Sequence, residues 1–290
     1  MKEADIIILA GQSNAVGVGH TACLSRHFSA EKIAAWHGGF RDIQINYFSH
    51  DKKSGGFVPV TTGCTERSKD TVGPELGIAE RLAERFPGRR FFIVKCAFGG
   101  TSLYHDWLSP SSGKPYDASA YADQKEDIIA NYGVGEPVRA GWCYNELVKI
   151  TGESIASLEA DGYSPRIRAF CWMQGEADAC ELRHSMLYVW RYDRLLADFG
   201  TTFAPYLSDC VYADAGISGV WPFHEAVNAA KADYGAAMAS EGRRYVDTVA
   251  AGLTTENEPF PPFGEPDTYH YDSDCVIKLG KMFADAVFPV

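Results

Sequence analysis

Four short segments of this chain carry residue types suited to acyl transfer. The first is Gly11-Gln12-Ser13-Asn14-Ala15, small residues around one serine directly after the apolar run Ile6 to Ala10. A serine at a strand-to-helix turn presents its Oγ free of neighbours and its backbone N–H toward the same point. A serine there also serves as a helix cap. The second segment, far along the chain, is Asp267-Thr268-Tyr269-His270. Residues three apart in one turn of chain bring their Cβ atoms to about 5–6 Å, so the Asp267 carboxylate can accept a hydrogen bond from His270 Nδ1 while Nε2 faces outward. That arrangement fixes the tautomer of a general base and stabilises the imidazolium formed when it takes a serine proton. Asp267 is equally able to cap the helix that follows.

The third and fourth segments are Gly99-Gly100-Thr101-Ser102, after Phe98, and Gln174-Gly175-Glu176-Ala177-Asp178, after Met173. A tetrahedral acyl intermediate carries an oxyanion that needs fixed hydrogen-bond donors in a water-poor site. The Gly100 N–H and the Gln174 side-chain amide are suitable donors, although a Gly-Gly pair is also a common turn. Together the four segments supply a nucleophile, two donors and a base, each at the end of a predicted strand or before a predicted helix.

The elements that must position them follow from hydrophobic periodicity. Apolar runs rich in β-branched or aromatic residues predict strands over Asp5 to Ala10, Ile43 to Phe48, Arg90 to Phe98, Arg166 to Met173 and Phe203 to Val211. FFIVKCAF is nearly continuous in apolar character, as befits a strand covered on both faces. Helical spacing predicts helices over Pro74 to Phe86, Tyr144 to Ala160, Ser185 to Phe199, Phe223 to Ser240 and Asp274 to Val287. Strands alternating with helices predict an α/β fold of three layers, α/β/α, around a parallel sheet. In such a sheet the ligand crevice lies beyond the carboxyl ends of the strands, where Ser13 falls. No linker divides the pattern, so one domain over 1–290 is expected. Three long polar stretches, about 49 to 73, 104 to 141 and 253 to 269, are where a substrate site should be sought.

Composition narrows the partners. With 27 Lys and Arg against 38 Asp and Glu the formal net charge is −11, and the densest basic runs are the pairs Arg89-Arg90 and Arg243-Arg244. A field of that sign repels phosphate backbones and anionic lipid headgroups, so neither nucleic acid nor a membrane surface is an expected partner. The acidic start, MKEADIIILAGQSN, lacks the basic region and longer apolar stretch of a signal peptide. No segment approaches the roughly 20 apolar residues of a membrane span, and a cytoplasmic protein is expected. Eight cysteines are scattered without a CxxC pair, and Cys96 and Cys171 inside apolar runs read as buried thiols.

The blocks GQSNA at 11–15, GGTSL at 99–103, WMQGEAD at 172–178 and DTYH at 267–270 resemble, in order, those of the SGNH (GDSL-like) hydrolase superfamily. More narrowly, they are similar to its sialate O-acetylesterase and acetylxylan esterase branch, carbohydrate esterase family six. VGPELGIAERL at 72–82 and LGKMFADAV at 279–287 extend the resemblance over nearly the whole chain. The resemblance implies a flavodoxin-like fold and hydrolysis of acetyl esters on sugars without a cofactor or metal. By motif position Ser13 would be the nucleophile, His270 the base and Asp267 its orienting acid, with Glu176 the alternative acid. Ser13 and Gly100 backbone N–H groups would donate to the oxyanion. The superfamily's third block supplies an asparagine where this chain has Gln174, which becomes the side-chain donor expected here.

Substrate contacts are expected from Gln12 and Asn14 beside the serine, from His105 and Trp107 after GGTSLY, and from the aromatics Tyr116, Tyr121, Tyr132 and Trp142, whose faces suit sugar rings. The same rings can instead pack their loop onto the domain. Three rivals are weaker. Gly17-x-Gly19 with Ala22 matches G-x-G-x-x-A, but GQSNAV intervenes between strand and first glycine. No HxH, HExxH or CxxC spacing supports a metallohydrolase. A silent carbohydrate-binding protein would not need Ser13, Asp267 and His270 together. Lipid esterase or thioesterase activity is the nearest catalytic competitor.

Overall fold

A computed structural model describes residues 2–65, 70–113, 140–260 and 265–289. Six parallel strands form its central sheet: β1 (Lys2–Gly11), β2 (Phe40–Ser49), β3 (Phe91–Ala97), β4 (Tyr163–Met173), β5 (Leu207–Ala215) and β6 (Arg243–Val246). Their order is β6-β5-β4-β1-β3-β2, and the short strands Lys52–Lys53 and Val58–Val60 join β2 antiparallel. The register pairs Gly11 with Ala97 on one side and with Met173 on the other. The carboxyl ends of β1, β3 and β4 therefore finish level, and the three chemistry-bearing segments leave from one line.

Seven α-helices accompany the sheet among the described residues: α1 (Ser13–Val16), α2 (Ala30–Gly38), α3 (Pro74–Arg85), α4 (Trp142–Ala160), α5 (Leu182–Thr202), α6 (His224–Ala237) and α7 (Ser273–Val287). Successive strand residues point to opposite faces. Lys95 of β3 reaches Glu75 of α3 at 2.7 Å and the Val16 carbonyl of α1 at 2.7 Å, while its neighbour Cys96 lies on the side of Cys143 in α4. Helices thus cover both faces, and β1 is buried throughout from Ala4 to Gly11. Helices α3 and α7 approach closely because Gly77 and Gly280 carry no side chain: a Cβ on either would meet a backbone carbonyl of the other helix at 1.9 Å.

The expected mixed α/β architecture with a mostly parallel sheet is what the chain adopts. Four of the five expected strands match closely, whereas the fifth is shifted, to Leu207–Ala215, because Ala204–Tyr206 forms a 3-10 turn around Pro205. Helix α2 and the edge strand β6 were not anticipated. The stretch 253 to 269 contains a small antiparallel pair, Pro259–Phe260 with Glu265–Pro266; its Pro261 and Pro262 lie outside the described residues. So do Tyr116, Tyr121 and Tyr132. Cys96 and Cys171 are fully buried, as their apolar runs imply. No helix among the described residues is long and apolar enough to cross a membrane.

Candidate active site

Beyond the carboxyl end of β1 the backbone turns at Gly11, whose φ of +142° and contact with β4 admit no side chain: a Cβ there would fall 1.9 Å from the Met173 carbonyl oxygen. Gln12 then donates its N–H to that same carbonyl at 2.9 Å, and Ser13 begins the single turn of α1. Lys95, fully buried, holds the other end of this turn through the Val16 carbonyl and also donates to the Cys64 carbonyl at 3.1 Å. Its ammonium is neutralised by the equally buried Glu75. The Ser13 turn is therefore clamped at both ends by β4 and by a buried ion pair.

Ser13 lines a cleft of about 500 Å³ together with Gln12, Gly99, Gly100, Trp221 and His270. Neither the Ser13 N–H nor the Gly100 N–H makes a hydrogen bond among the described residues. Gly100 has φ +69°, the left-handed conformation that glycine adopts without strain. Two unsatisfied backbone donors thus border the serine, the chemical requirement for holding a developing oxyanion.

His270 lines the same cleft. Its Nδ1 lies 2.6 Å from Asp267 Oδ2, while Asp267 Oδ1 accepts the N–H of Tyr269 at 2.9 Å and of His270 at 3.2 Å. Burial alone would raise the Asp267 pKa, but the hydrogen bond and charge of His270 and the two backbone donors outweigh it and hold the carboxyl below its ordinary value. Asp267 is thus ionised wherever the protein is folded near neutrality, and Nδ1 is the protonated nitrogen of a neutral His270 ring. Its Nε2 is left as the basic atom.

The other carboxylate near the ring, Glu176, lies within electrostatic reach of His270 but has no hydrogen bond to it. Glu176 is fully buried and accepts a hydrogen bond from Asn14 Nδ2 at 2.8 Å; Asn14 Oδ1 in turn accepts the N–H of Tyr271 at 2.9 Å. Burial raises the Glu176 pKa, with Asn14 offsetting only part of it. Asn14, 1% exposed, is consequently a strut between the serine turn and the residue after His270, not a residue facing substrate.

Gln174, the expected side-chain donor, is not among the residues that line the cleft. It is fully buried, and its amide nitrogen faces Asp178 Oδ2 at 2.6 Å, the Thr101 carbonyl at 3.0 Å and Gln12 Oε1 at 3.3 Å. An amide has two N–H bonds, and both are committed to protein acceptors. Gln12 is better placed, because its Oε1 is pinned by Ala177 N–H at 3.2 Å and by Gln174, which leaves its own amide nitrogen as the end available to the cleft it lines. Asp178 meanwhile accepts the N–H groups of Leu103 and Tyr104 at 2.9 and 3.0 Å, joining the QGEAD segment to the GGTSL loop; burial pushes its pKa up to about 6 despite these bonds.

His105 and Trp107 do not line the cleft. After Gly100 the chain folds back, with the Asp106 and Trp107 N–H groups bonded to the Ser102 carbonyl, and this turn is buried. Trp107 is 0% exposed, donates Nε1–H to Thr101 Oγ1 at 2.8 Å and packs edge-on to Trp172. His105 sits 3.2 Å from Asp106, which also receives Trp142 Nε1–H. These rings pack the loop onto the domain. The aromatic surface that does border the cleft is Trp221 with Tyr269, ring centroids 5.4 Å apart, Tyr269 being half exposed. Trp221 follows β5, and extending the strand-end rule to that fifth strand would have found it.

Three solved structures share this fold. A protein from Arabidopsis thaliana is 19% identical, with a TM-score of 0.61 over 98% of this chain and 97% of that one. NanS is 18% identical, with a TM-score of 0.68 over 99% and 97% of the two chains. A carbohydrate acetylesterase from Xanthomonas citri is 11% identical, with a TM-score of 0.53 over 98% of this chain and 55% of that one. No curated protein matches the sequence. The family model of carbohydrate esterases described as sialic acid-specific acetylesterase matches residues 3–289, and the chain belongs to that family.

Proposed function

We propose that this protein removes O-acetyl groups from carbohydrates by a Ser13–His270–Asp267 acyl transfer on a single SGNH-type domain. The observation that carries the reading is the 2.6 Å Asp267–His270 contact at the cleft that Ser13 and Gly100, each with an unbonded N–H, also line. In the first step His270 Nε2 takes the Ser13 proton as Oγ attacks the acetyl carbonyl, and the oxyanion is held by the Ser13 and Gly100 N–H groups with the Gln12 amide. Collapse breaks the C–O bond to the sugar, whose oxygen receives the proton from Nε2. Water, deprotonated by His270, then attacks the acetyl-serine and releases acetate.

Neutral sugars suit the cleft better than an anionic one. Among its described lining residues there is no lysine or arginine to meet a carboxylate, whereas Trp221 and Tyr269 offer ring faces at its mouth. Acetate release should be measured from acetylated xylo-oligosaccharides, acetylated sialic acids and p-nitrophenyl esters of increasing chain length, with wild type and Ser13→Ala. Turnover of acetylated neutral sugars that disappears in Ser13→Ala is the expected result. A preference for long acyl chains would support a lipid esterase instead, and full activity of the alanine variant would exclude the serine mechanism.

A further inference from the structure

A second group of ligand atoms converges beside the triad, from three separate segments. His27 follows the 3-10 helix Thr21–Arg26, Glu258 lies in the stretch leading to Asp267, and Asp274 stands in the first turn of α7. Their Nε2, Oε1 and Oδ1 atoms all lie within 4.8 Å of one another. His27 Nε2 is 3.3 Å from Glu258 Oε1 and 3.7 Å from Asp274 Oδ1.

Glu258 gives this group its meaning. The side chain is 7% exposed, and its Oε2 is fixed by Ser273 N–H at 2.9 Å and by Ser273 Oγ at 2.6 Å. Its Oε1, aimed at His27, has no hydrogen-bond partner: the separation is short, but the geometry is not that of a hydrogen bond. That buried oxygen faces the His27 ring, which balances its charge only when protonated, and a buried carboxylate without a compensating cation is costly. Two ligands bound to one zinc ion at about 2.0–2.1 Å, at the tetrahedral angle, stand roughly 3.3 Å apart. The 3.3 Å His27–Glu258 spacing, which is that of an ion pair when the ring is protonated, also fits two groups sharing an ion when the ring is neutral. The Cys23 thiol lies next to the same carboxylate and borders the site.

We propose that His27, Glu258 and Asp274 bind one divalent transition-metal ion of the zinc type, clamping the segment that leads to Asp267 and His270 onto the start of α7. An imidazole among the ligands favours zinc over calcium or magnesium, which take oxygen donors. Two carboxylates balance the ion's charge, and Ser273 supplies the outer hydrogen bonds that orient the Glu258 carboxylate. The site is structural, it contributes no atom to the acyl transfer, and it does not depend on which ester the cleft accepts.

Equilibrium dialysis of the metal-stripped full-length protein against zinc chloride, with calcium chloride in a parallel arm, tests the site. One zinc ion per chain is expected, with a melting temperature that rises with zinc. His27→Ala and Asp274→Asn, at the exposed side of the site, should each weaken zinc binding roughly tenfold or more, and Glu258→Gln should do the same if its circular dichroism matches wild type. His184→Ala, whose ring stacks on Tyr104 away from these residues, should leave binding unchanged. Absence of zinc binding, a preference for calcium, or zinc affinity unaffected by both His27→Ala and Asp274→Asn would overturn the proposal.

Discussion

Asp267 and His270 form a closed unit: one carboxylate oxygen contacts the imidazole at 2.6 Å while the other binds the backbone N–H of His270 itself and of Tyr269. The acid therefore orients the ring and shapes the turn that carries it. Glu176 supports the same histidine from a different direction, through Asn14 to the N–H of Tyr271. One carboxylate addresses the ring and the other addresses the neighbouring backbone.

Their substitutions should separate accordingly. Asp267→Asn removes the charge that stabilises the imidazolium and is expected to lower kcat by about 10³–10⁴. Glu176→Gln keeps an oxygen able to accept from Asn14, and kcat on an aryl acetate should stay within roughly tenfold of wild type. The reverse ranking would reassign the acid to Glu176.

The two glutamines should also part company. Gln12→Ala is expected to reduce kcat about 10²–10³ with little change in KM, as loss of one oxyanion donor does. Gln174→Ala leaves the buried Asp178 short of a donor, so its main effect should be a stability loss of roughly 1–3 kcal/mol in urea unfolding. A kcat loss in Gln174→Ala as large as that of Gln12→Ala, at unchanged stability, would restore Gln174 as the direct donor.

The placement of the candidate site residues was legible in the sequence where it is local. Ser13 follows a strand of unbroken apolar character, and the Asp267–His270 spacing sets their contact without help from the rest of the fold. What could not be read was direction. Asn14 is one residue beyond Ser13, and a helical step of about 100° turns its side chain from the cleft to the interior. Trp107 and His105 are buried because the loop folds back at Ser102, a reversal with no periodic signature. The same limit applies to elements: β6 has four residues, two of them arginine, and α2 has only one buried residue, Trp36, to mark its inner face.

Sugar recognition should map to the aromatic pair. Trp221→Ala is expected to raise KM roughly tenfold for acetylated oligosaccharides, by removing apolar ring contact, while p-nitrophenyl acetate, which has no sugar to stack, keeps its KM. Equal losses on both substrates would mean that Trp221 shapes the acyl pocket.

Asp178 gives a pH signature in folding. Its pKa in the folded protein, about 6, exceeds its ordinary 3.8, so its protonated form stabilises the fold. The contribution is fully present below the unfolded value and is lost as the pH rises through 6. Relative to Asp178→Asn, which does not titrate, the wild type should gain roughly 2–3 kcal/mol on going from about pH 7 to pH 4. Urea unfolding of both proteins across that range measures the difference, and parallel profiles would exclude it.

The strand order splits at β1, with β3 and β2 on one side and β4, β5 and β6 on the other. The serine sits on this seam, while Gly100, the Trp221 ring and the Asp267–His270 turn each arrive on a different connection. Such a layout separates what must stay constant from what can vary. On the proposed function, a loop can lengthen, shorten or change its aromatic residues and alter which sugar is admitted, while Ser13 keeps its seat. Substrate range is in this sense a property of the periphery, open to change one connection at a time.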